Sequence, residues 1–481
     1  MREETIRLEH VTQIIDGITQ LNNFNMHIFA GEIMGLVGIN DHGIDSLLKL
    51  LLKNDPIYYG YIYYKDKLIN SYLKSLRTFN EIAIVGSKNS IVSDLSVAEN
   101  VFVLSRNYKK HIINHRQLEN QMQAYIDSTK INISASTTGA ELSFFEQCVV
   151  EILRAVTANY KLIVIKDISS FISESDLVKV HKLIRHFASF GFSFLYICNH
   201  HKETFEISDR ASIMENGRIL KILSKNEMTD NMMHNFSKPF FISPITDPSV
   251  FSDFSKMKKH ETVFSFNKIF TENINDLSFS VKKGECLVLH DINNTVFNDI
   301  ISIVLCDLKP KSGNIFINNQ IINGSKKGYK HKMAVIDEKP AKTMVFKDLS
   351  YIDNMCVSSE HKASDFITKK TVEKSVRLEY FPLVGDDIFA PNLENLSIYS
   401  LYNLVYYRVH LQRPNVVFCV QPFAGADMYL RMHIINLIEK LKKQGIAIVI
   451  LAVNVSDSLI VADRFIRIGK EPVFDSDKID F

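Results

Sequence analysis

A duplication constrains this chain more than any single motif does. "FNMHIFAGEIMGLVG" (residues 24–38) is matched by "LSFSVKKGECLVLHD" (residues 277–291). Each reads as an alternating strand, a Gly-Glu turn and a buried strand. "AELSFFEQCVVEILRAVTANYKLIVIKDIS" (140–169) is matched by "ENLSIYSLYNLVYYRVHLQRPNVVFCVQPF" (394–423). Each reads as a helix from a Leu-Ser start, a turn and an apolar strand. Residues 189–220 and 443–470 share a strand, a helix ending in Asp-Arg, and another strand. The period is about 250 residues, far beyond the ~20–50 of solenoid arrays, so whole domains are duplicated. Strands alternating with helices predict α/β units on a mostly parallel sheet.

The length of 481 residues suits two domains, and 46% apolar with 23% charged residues is ordinary for a globular chain. A net charge of +2 argues for no nucleic acid or other polyanion as partner. The lysine patches, Lys326-Lys327 and Lys330-His331-Lys332, read as solvated loops. None of the six cysteines forms a CxxC pair, which predicts reduced, buried thiols. Scattered histidines such as His10, His200 and His410 show no metal spacing. The charged N-terminus is unlike a signal peptide, and no stretch approaches the ~20 apolar residues of a membrane span. A soluble chain is expected, free to dock on a membrane partner.

Within the first repeat, residues 38–45 follow the frame G-x-x-x-x-G-K-[ST] of a phosphate-binding loop. Gly38 and Gly43 keep the turn, with Asn40 between them. Ile44 stands at the lysine position, Asp45 at the hydroxyl position that binds magnesium, and Ser46 follows. Such a loop works by aiming backbone N–H groups and a helix N-terminus at phosphate oxygens. Ile44 supplies no cation. Asp41 and Asp45 place negative charge where phosphates lie, a repulsion of ~1–4 kcal/mol at ~4 Å. An acidic helix start is the alternative reading of Asp45.

The repeated order is phosphate loop, helical insert, Leu-Ser helix, apolar strand, and a further strand. "DLSVAENVFVLSR" (94–106), the insert 113–143 and "AVIDEKPAKTMVFKDLSYIDNM" (334–355) stand in register with it. Together they resemble an ABC ATPase with two fused nucleotide-binding domains, over residues 5–470. Within that family they are similar to the ATPase subunit of ribose/galactose-type sugar importers. Ribosome-binding two-domain members carry a long charged helical linker. Here the linker is short and holds three prolines.

The resemblance implies tandem duplicated P-loop NTPase (ABC ATPase) domains, each a mixed α/β sheet core with a helical insert. The N-terminal domain is placed at 1–225, the linker at 226–256 and the C-terminal domain at 257–481. In the first domain the phosphate loop is 38–46, the insert about 88–138, the signature 142–147 and the Walker B strand 161–167. In the second they are 290–299 (loop), 396–400 (signature) and 416–421 (Walker B).

The family's cofactors are ATP and magnesium, and each catalytic position can be checked in turn. The Walker B metal aspartate is replaced by Lys166, and the catalytic glutamate by the shorter Asp167. Asp45 and Lys166 occupy the two magnesium positions, so a direct ion pair in place of the metal is expected. Ser87 stands at the Q-loop position and Asn199 at the switch-histidine position, with His200 and His201 following. The adenine-stacking position falls near Ile15, which has no π-face. The second loop, "HDINNTVFNDI" (290–300), has no glycine, and its Walker B strand ends in Val420-Gln421. Val453 lies at the second switch position. After the signature serines Ser143 and Ser397, the Gly-Gly pair is replaced by Phe144-Phe145 and Ile398-Tyr399. These bulky side chains either pack their own helix starts or fill an empty site at a domain contact.

Three functions follow. The first is an eroded, regulatory or structural subunit on a membrane permease or beside an active sister subunit. The second is a weakly active sugar-import ATPase, and the third a soluble scaffold. In the first, the face 88–138 docks the permease and the chain sits in the cytoplasm, peripheral on the inner face of the membrane.

Overall fold

The computed structural model describes residues 3–75, 78–86, 90–103, 114–129, 131, 133–229, 232–233, 236, 261–291, 295–322, 332–357, 369–453, 458–468 and 474–476. The chain divides into two compact units, Met1–Pro244 with Gly425–Tyr429 and Ile245–Ala424 with Leu430–Phe481.

In unit 1 the strands are β1 (Glu4–Ile15), β2 (Ile18–Phe29), β3 (Ile33–Gly38), β4 (Tyr59–Tyr64), β5 (Lys67–Ser71), β6 (Ile82–Gly86), β7 (Leu162–Lys166), β8 (Ser193–Ile197), β9 (Arg210–Glu215) and β10 (Arg218–Ser224). One sheet runs β2-β1-β4-β5, and its paired strands are antiparallel. The second runs β10-β9-β3-β8-β7-β6 and is parallel except for the β9–β10 hairpin. Every residue of β3 and β8 is buried. This is why both read as continuous apolar runs: helices cover the faces of a parallel sheet. The helices are α1 (Ile44–Leu52), α2 (Val97–Phe102), α3 (His115–Thr129), α4 (Phe144–Thr157), α5 (Glu174–Ser189) and α6 (His201–Ile207).

Unit 2 repeats the plan. Its strands are β11 (Thr262–Phe270), β12 (Leu277–Lys282), β13 (Cys286–Asp291), β14 (Ser312–Ile317), β15 (Gln320–Ile321), β16 (Met333–Ile336), β17 (Val416–Val420), β18 (Ala447–Ala452), β19 (Arg464–Ile468) and β20 (Phe474–Ser476). The sheets run β12-β11-β14-β15 and β16-β17-β18-β13-β19-β20, the same two orders as in unit 1. Its helices are α7 (Phe297–Val304), α8 (Pro340–Thr343), α9 (Tyr351–Cys356), α10 (Lys369–Val384), α11 (Ile398–Gln412) and α12 (Met428–Lys443).

The same polar clasp closes both parallel sheets. Arg210 Nε lies 2.6 Å from Glu32 Oε1, and Arg464 Nη1 lies 2.9 Å from Glu285 Oε1. Asp209 accepts the Ile33 N–H at 2.9 Å, and Asp463 accepts the Cys286 N–H at 2.8 Å. These six charged residues belong to the Gly-Glu and Asp-Arg pairs of the sequence repeat. Part of the stretch read as a linker is not free of the first unit. Met228, Met232, Met233 and Phe236 pack with Val37, Ile39 and Phe205, because their apolar side chains cover that edge of the sheet.

Candidate functional site

The loop from β3 into α1 keeps the shape of a phosphate cradle. Gly43 sits at φ 85°, and a Cβ there would meet the Gln20 carbonyl oxygen at 2.3 Å, so only glycine fits. The contents of the cradle differ from its shape. Ile44 is 2% exposed and belongs to the apolar cluster between the two sheets. Its Cδ1 would stand 3.0 Å from a Cβ built on Gly38. The side chain at the cation position therefore folds back over the start of the loop. Asn40 bonds the β9–β10 turn through its Nδ2 to Asn216 Oδ1 at 2.7 Å. The Asn199 amide donates to Asp41 Oδ1 at 3.2 Å, tying the switch position to the loop. His201 stacks edge-on against Phe205 at 5.6 Å. Ser46 is buried one residue past the hydroxyl position.

Asp45 and Lys166 meet. Lys166 Nζ donates to Asp45 Oδ1 at 2.9 Å, joining the first turn of α1 to the end of β7. The Asp45 side chain is 82% exposed and that of Lys166 28%, so solvent screens the pair. An ammonium cannot ligate a divalent cation. Asp167 follows at φ 49°, its N–H bonded to the Ile197 carbonyl at 3.0 Å. Gln421 repeats this backbone in unit 2, with φ 40° and its N–H on the Leu451 carbonyl at 2.8 Å. The two Walker B ends thus share a geometry and differ in chemistry.

The second loop is occupied by its own acid. Asp291, 1% exposed, stands at the end of β13, where Gly38 stands at the end of β3. Its Oδ2 accepts the backbone N–H groups of Thr295 at 2.5 Å and Val296 at 2.7 Å, at the threshold of α7. A carboxylate inside the protein takes the donors that a phosphate would take. The motif reading saw only the missing glycines. Its only trace in the sequence is an acid six residues before the helix start at Phe297.

Ser143 and Ser397 cap their own helices. Ser143 forms a reciprocal box with Glu146: Ser143 Oγ accepts the Glu146 N–H at 3.3 Å, and Glu146 Oε2 accepts the Ser143 N–H at 2.8 Å. Ser397 Oγ accepts the Ser400 N–H at 3.1 Å. Phe144 packs on Phe171 at 4.9 Å, and Tyr399 lies edge-on to His433 at 5.5 Å. These contacts stay inside each signature's own unit. Ser87 lies outside the described residues, as do the insert positions 88–89, 104–113, 130 and 132.

The described part of the insert is rigidly held. Asn100 is fully buried, accepts the Val92 N–H at 2.9 Å and donates to the Val92, Leu95 and Ser96 carbonyls at 3.1 Å. Asn354 repeats this set in unit 2, on the Phe346 N–H at 2.8 Å and the Phe346, Leu349 and Ser350 carbonyls. Beside Asn100, Arg154 Nε donates to the Asn100 carbonyl at 2.8 Å, and Glu151 Oε1 accepts from Ser90 Oγ at 2.6 Å. Burial raises the Glu151 carboxyl above its usual range, opposed by its Ser90 bonds and Arg154. Sequence reasoning did not single out these residues.

No cluster of metal-ligating side chains occurs among the described residues. No described helix is long and apolar enough to cross a membrane.

Against known proteins, the family model for ABC transporters matches residues 21–167. The ribose import ATP-binding protein RbsA of Clostridium tetani is 21% identical over 96% of this chain and 92% of that protein. The xylose import ATP-binding protein XylG of Thermoanaerobacter pseudethanolicus is 22% identical over 99% of this chain and 98% of its own length. The galactose/methyl galactoside import ATP-binding protein MglA of Treponema denticola is 24% identical over 96% and 94%. Among solved structures, RNase-L Inhibitor aligns with a TM-score of 0.61 at 14% identity, covering 96% of this chain and 88% of that one. At that identity the match speaks to the fold alone. The chain has the fold of tandem, duplicated ABC ATPase domains and resembles, along nearly its whole length, the ATP-binding subunits of ribose- and galactose-type sugar ABC importers.

Proposed function

We propose that this chain is a pseudo-ATPase: a regulatory or structural subunit that keeps the fold and partner surfaces of a sugar-importer ATPase without its nucleotide chemistry. One observation carries the reading: the protein's own side chains stand where a magnesium nucleotide would be held. Ile44 folds over the first loop, Lys166 takes Asp45, and the Asp291 carboxylate takes the N–H groups of the second loop. Magnesium has no ligand pair at Asp45 and Lys166. The γ-phosphate has no lysine. Asp167 and Gln421 are poor bases for water, one a methylene short and the other neutral. These residues do not fit magnesium ATP, and no catalytic step is drawn through it.

What both repeats retain is scaffolding. The buried Asn100 and Asn354 knots each shape the start of a helical insert. We assign the face 88–138 to docking on a membrane permease, which would hold the chain at the cytoplasmic face of the membrane. An active sister ATPase subunit is the other partner this reading allows. The competing readings are a weakly active import ATPase and a soluble scaffold with no transporter.

Thermal shift with ATP and magnesium separates the first competitor. The proposal expects no rise in Tm at micromolar ATP, and a saturating micromolar rise overturns it. Affinity purification from membranes separates the second. A polytopic permease should co-purify, and its loss on replacing Asn100 by Ala would tie docking to the insert.

A further inference from the structure

Unit 2 contains a cavity of about 420 Å³ among the ends of β11, β12, β17 and β18, lined by Lys283, Arg413, Gln444, Asn415, Ile446 and Glu261 among others. Small-molecule sites span roughly 300–1,000 Å³. The repeat supplies an internal control, because backbone bonds fix which positions correspond. Lys283 N–H bonds the Glu261 carbonyl at 3.0 Å as Ala30 bonds Glu3 at 2.8 Å, and Ala447 bonds Asn415 at 3.0 Å as Ser193 bonds Lys161 at 2.8 Å.

In unit 1 the corresponding positions carry rings, of which Phe192 is buried and Phe190 is 65% exposed. Tyr160, Phe190 and Phe192 stand where unit 2 has Pro414, Gln444 and Ile446. Lys161 Nζ lies 4.3 Å from the Phe192 ring centre. Replacing the buried Phe192 ring by the smaller Ile446 removes packing from this edge.

The same exchange brings in two cations. Lys283 replaces Ala30, and Arg413 replaces Asn159. Both Asn159 and Arg413 are left-handed, at φ 59° and 51°. Asparagine tolerates that conformation, whereas arginine is strained there. Strain of this kind collects at functional sites. Among the described residues neither Lys283 nor Arg413 is ion-paired. Gln444 adds an acceptor. Its Nε2 lies 3.1 Å from His410 Nδ1, an atom that Tyr380 Oη also reaches at 2.7 Å. Burial, with Arg413 and Lys440 nearby, lowers His410 to about 4, so the ring is neutral, and in the tautomer whose lone pair is on Nδ1 the Gln444 amide N–H faces it. That orientation leaves Gln444 Oε1 buried and without a hydrogen-bond donor.

We propose that this cavity binds the phosphate monoester of a small polyol, with Lys283 and Arg413 on the phosphate and Gln444 Oε1 and the Glu261 carboxylate accepting its hydroxyls. A paired lysine and arginine suit a compact dianion, and the guanidinium can bind two of its oxygens at once. The two remaining acceptors select against inorganic phosphate and against apolar esters. This site does not depend on the state of either nucleotide loop.

Isothermal titration of the full chain tests it, with glucose 6-phosphate, glycerol 3-phosphate, inorganic phosphate and glucose as probes. At least one ester should bind with one-to-one stoichiometry, glucose should not bind, and inorganic phosphate should bind about tenfold more weakly. Arg413→Asn, which copies unit 1, should weaken the ester about tenfold while raising the Tm of the free protein. Lys283→Ala should weaken it similarly. Gln444→Phe with Ile446→Phe, also copied from unit 1, should abolish binding. Should that double variant fail to fold, Arg413→Asn still decides the matter, because it relieves strain. The proposal is overturned if neither ester gives heat at about 10 mM, if inorganic phosphate binds as tightly as the esters, or if Arg413→Asn leaves affinity unchanged.

Discussion

A phosphate loop can bind an anion only while its backbone donors have nothing nearer to bind. Here two residues remove that freedom by opposite chemistry. Ile44 contributes bulk in place of a cation, and Asp291 contributes an anion of its own. Asp291→Ala leaves the buried Val296 N–H and the part-buried Thr295 N–H unpartnered, and the buried loss costs about 1–3 kcal/mol. Chemical denaturation should therefore show a clear drop in midpoint, with Asp291→Asn intermediate. An unchanged midpoint would mean that water serves these donors equally well. The Asp45–Lys166 pair is more exposed, and a double-mutant cycle should return at most about 1 kcal/mol of coupling. A much larger coupling would show that the pair is shielded from solvent. Ile44, Asp45 and Lys166 were legible as residues because the two-glycine frame and the apolar strand fix their positions. The role of Asp291 was not. It depends on β13 ending at that residue and α7 starting six positions later at Phe297, boundaries that no motif prints.

Among the elements, the insert start and the parallel sheet carry most of the polar design. The Asn100 side chain makes five hydrogen bonds at a fully buried position. Asn100→Leu should destabilise by about 1–3 kcal/mol, because it strands the Val92 N–H, while the Val92, Leu95 and Ser96 carbonyls keep the backbone N–H groups of Leu95, Gly139 and Asn100. Circular dichroism melts would check this, and a neutral result would place that N–H in contact with water. Two partly buried histidines give the fold an acid limit. His181 is lowered to about 4 chiefly by burial, as is His410. A histidine depressed in the folded state binds fewer protons than it does unfolded. Stability should thus hold above about pH 6.5 and decline as pH falls from there towards about 4. In His181→Gln the midpoint should fall less steeply over that window. An identical slope would place the acid sensitivity elsewhere. At this scale the repeat itself was readable, because Gly-Glu and Asp-Arg pairs recur where the clasps form. The cavity of unit 2 was not, since it arises from positions scattered between Glu261 and Ile446 that meet only in the folded sheet.

For the whole molecule, the two repeats differ in which parts they keep. Sheet order, the Glu–Arg clasps, the left-handed Walker B ends and the asparagine knots are common to both units. The cationic, metal-binding and signature-glycine positions of the nucleotide sites carry other residues in both. On the reading proposed above, a chain built this way keeps surfaces for partners and dispenses with turnover. The direct test of that central claim is isothermal titration of the full chain with ATP and magnesium. The proposed pseudo-ATPase gives no saturable heat at micromolar to low millimolar ATP, both in the native chain and with Asp291 replaced by Ala. A one- or two-site isotherm with a micromolar Kd in the native chain would contradict it.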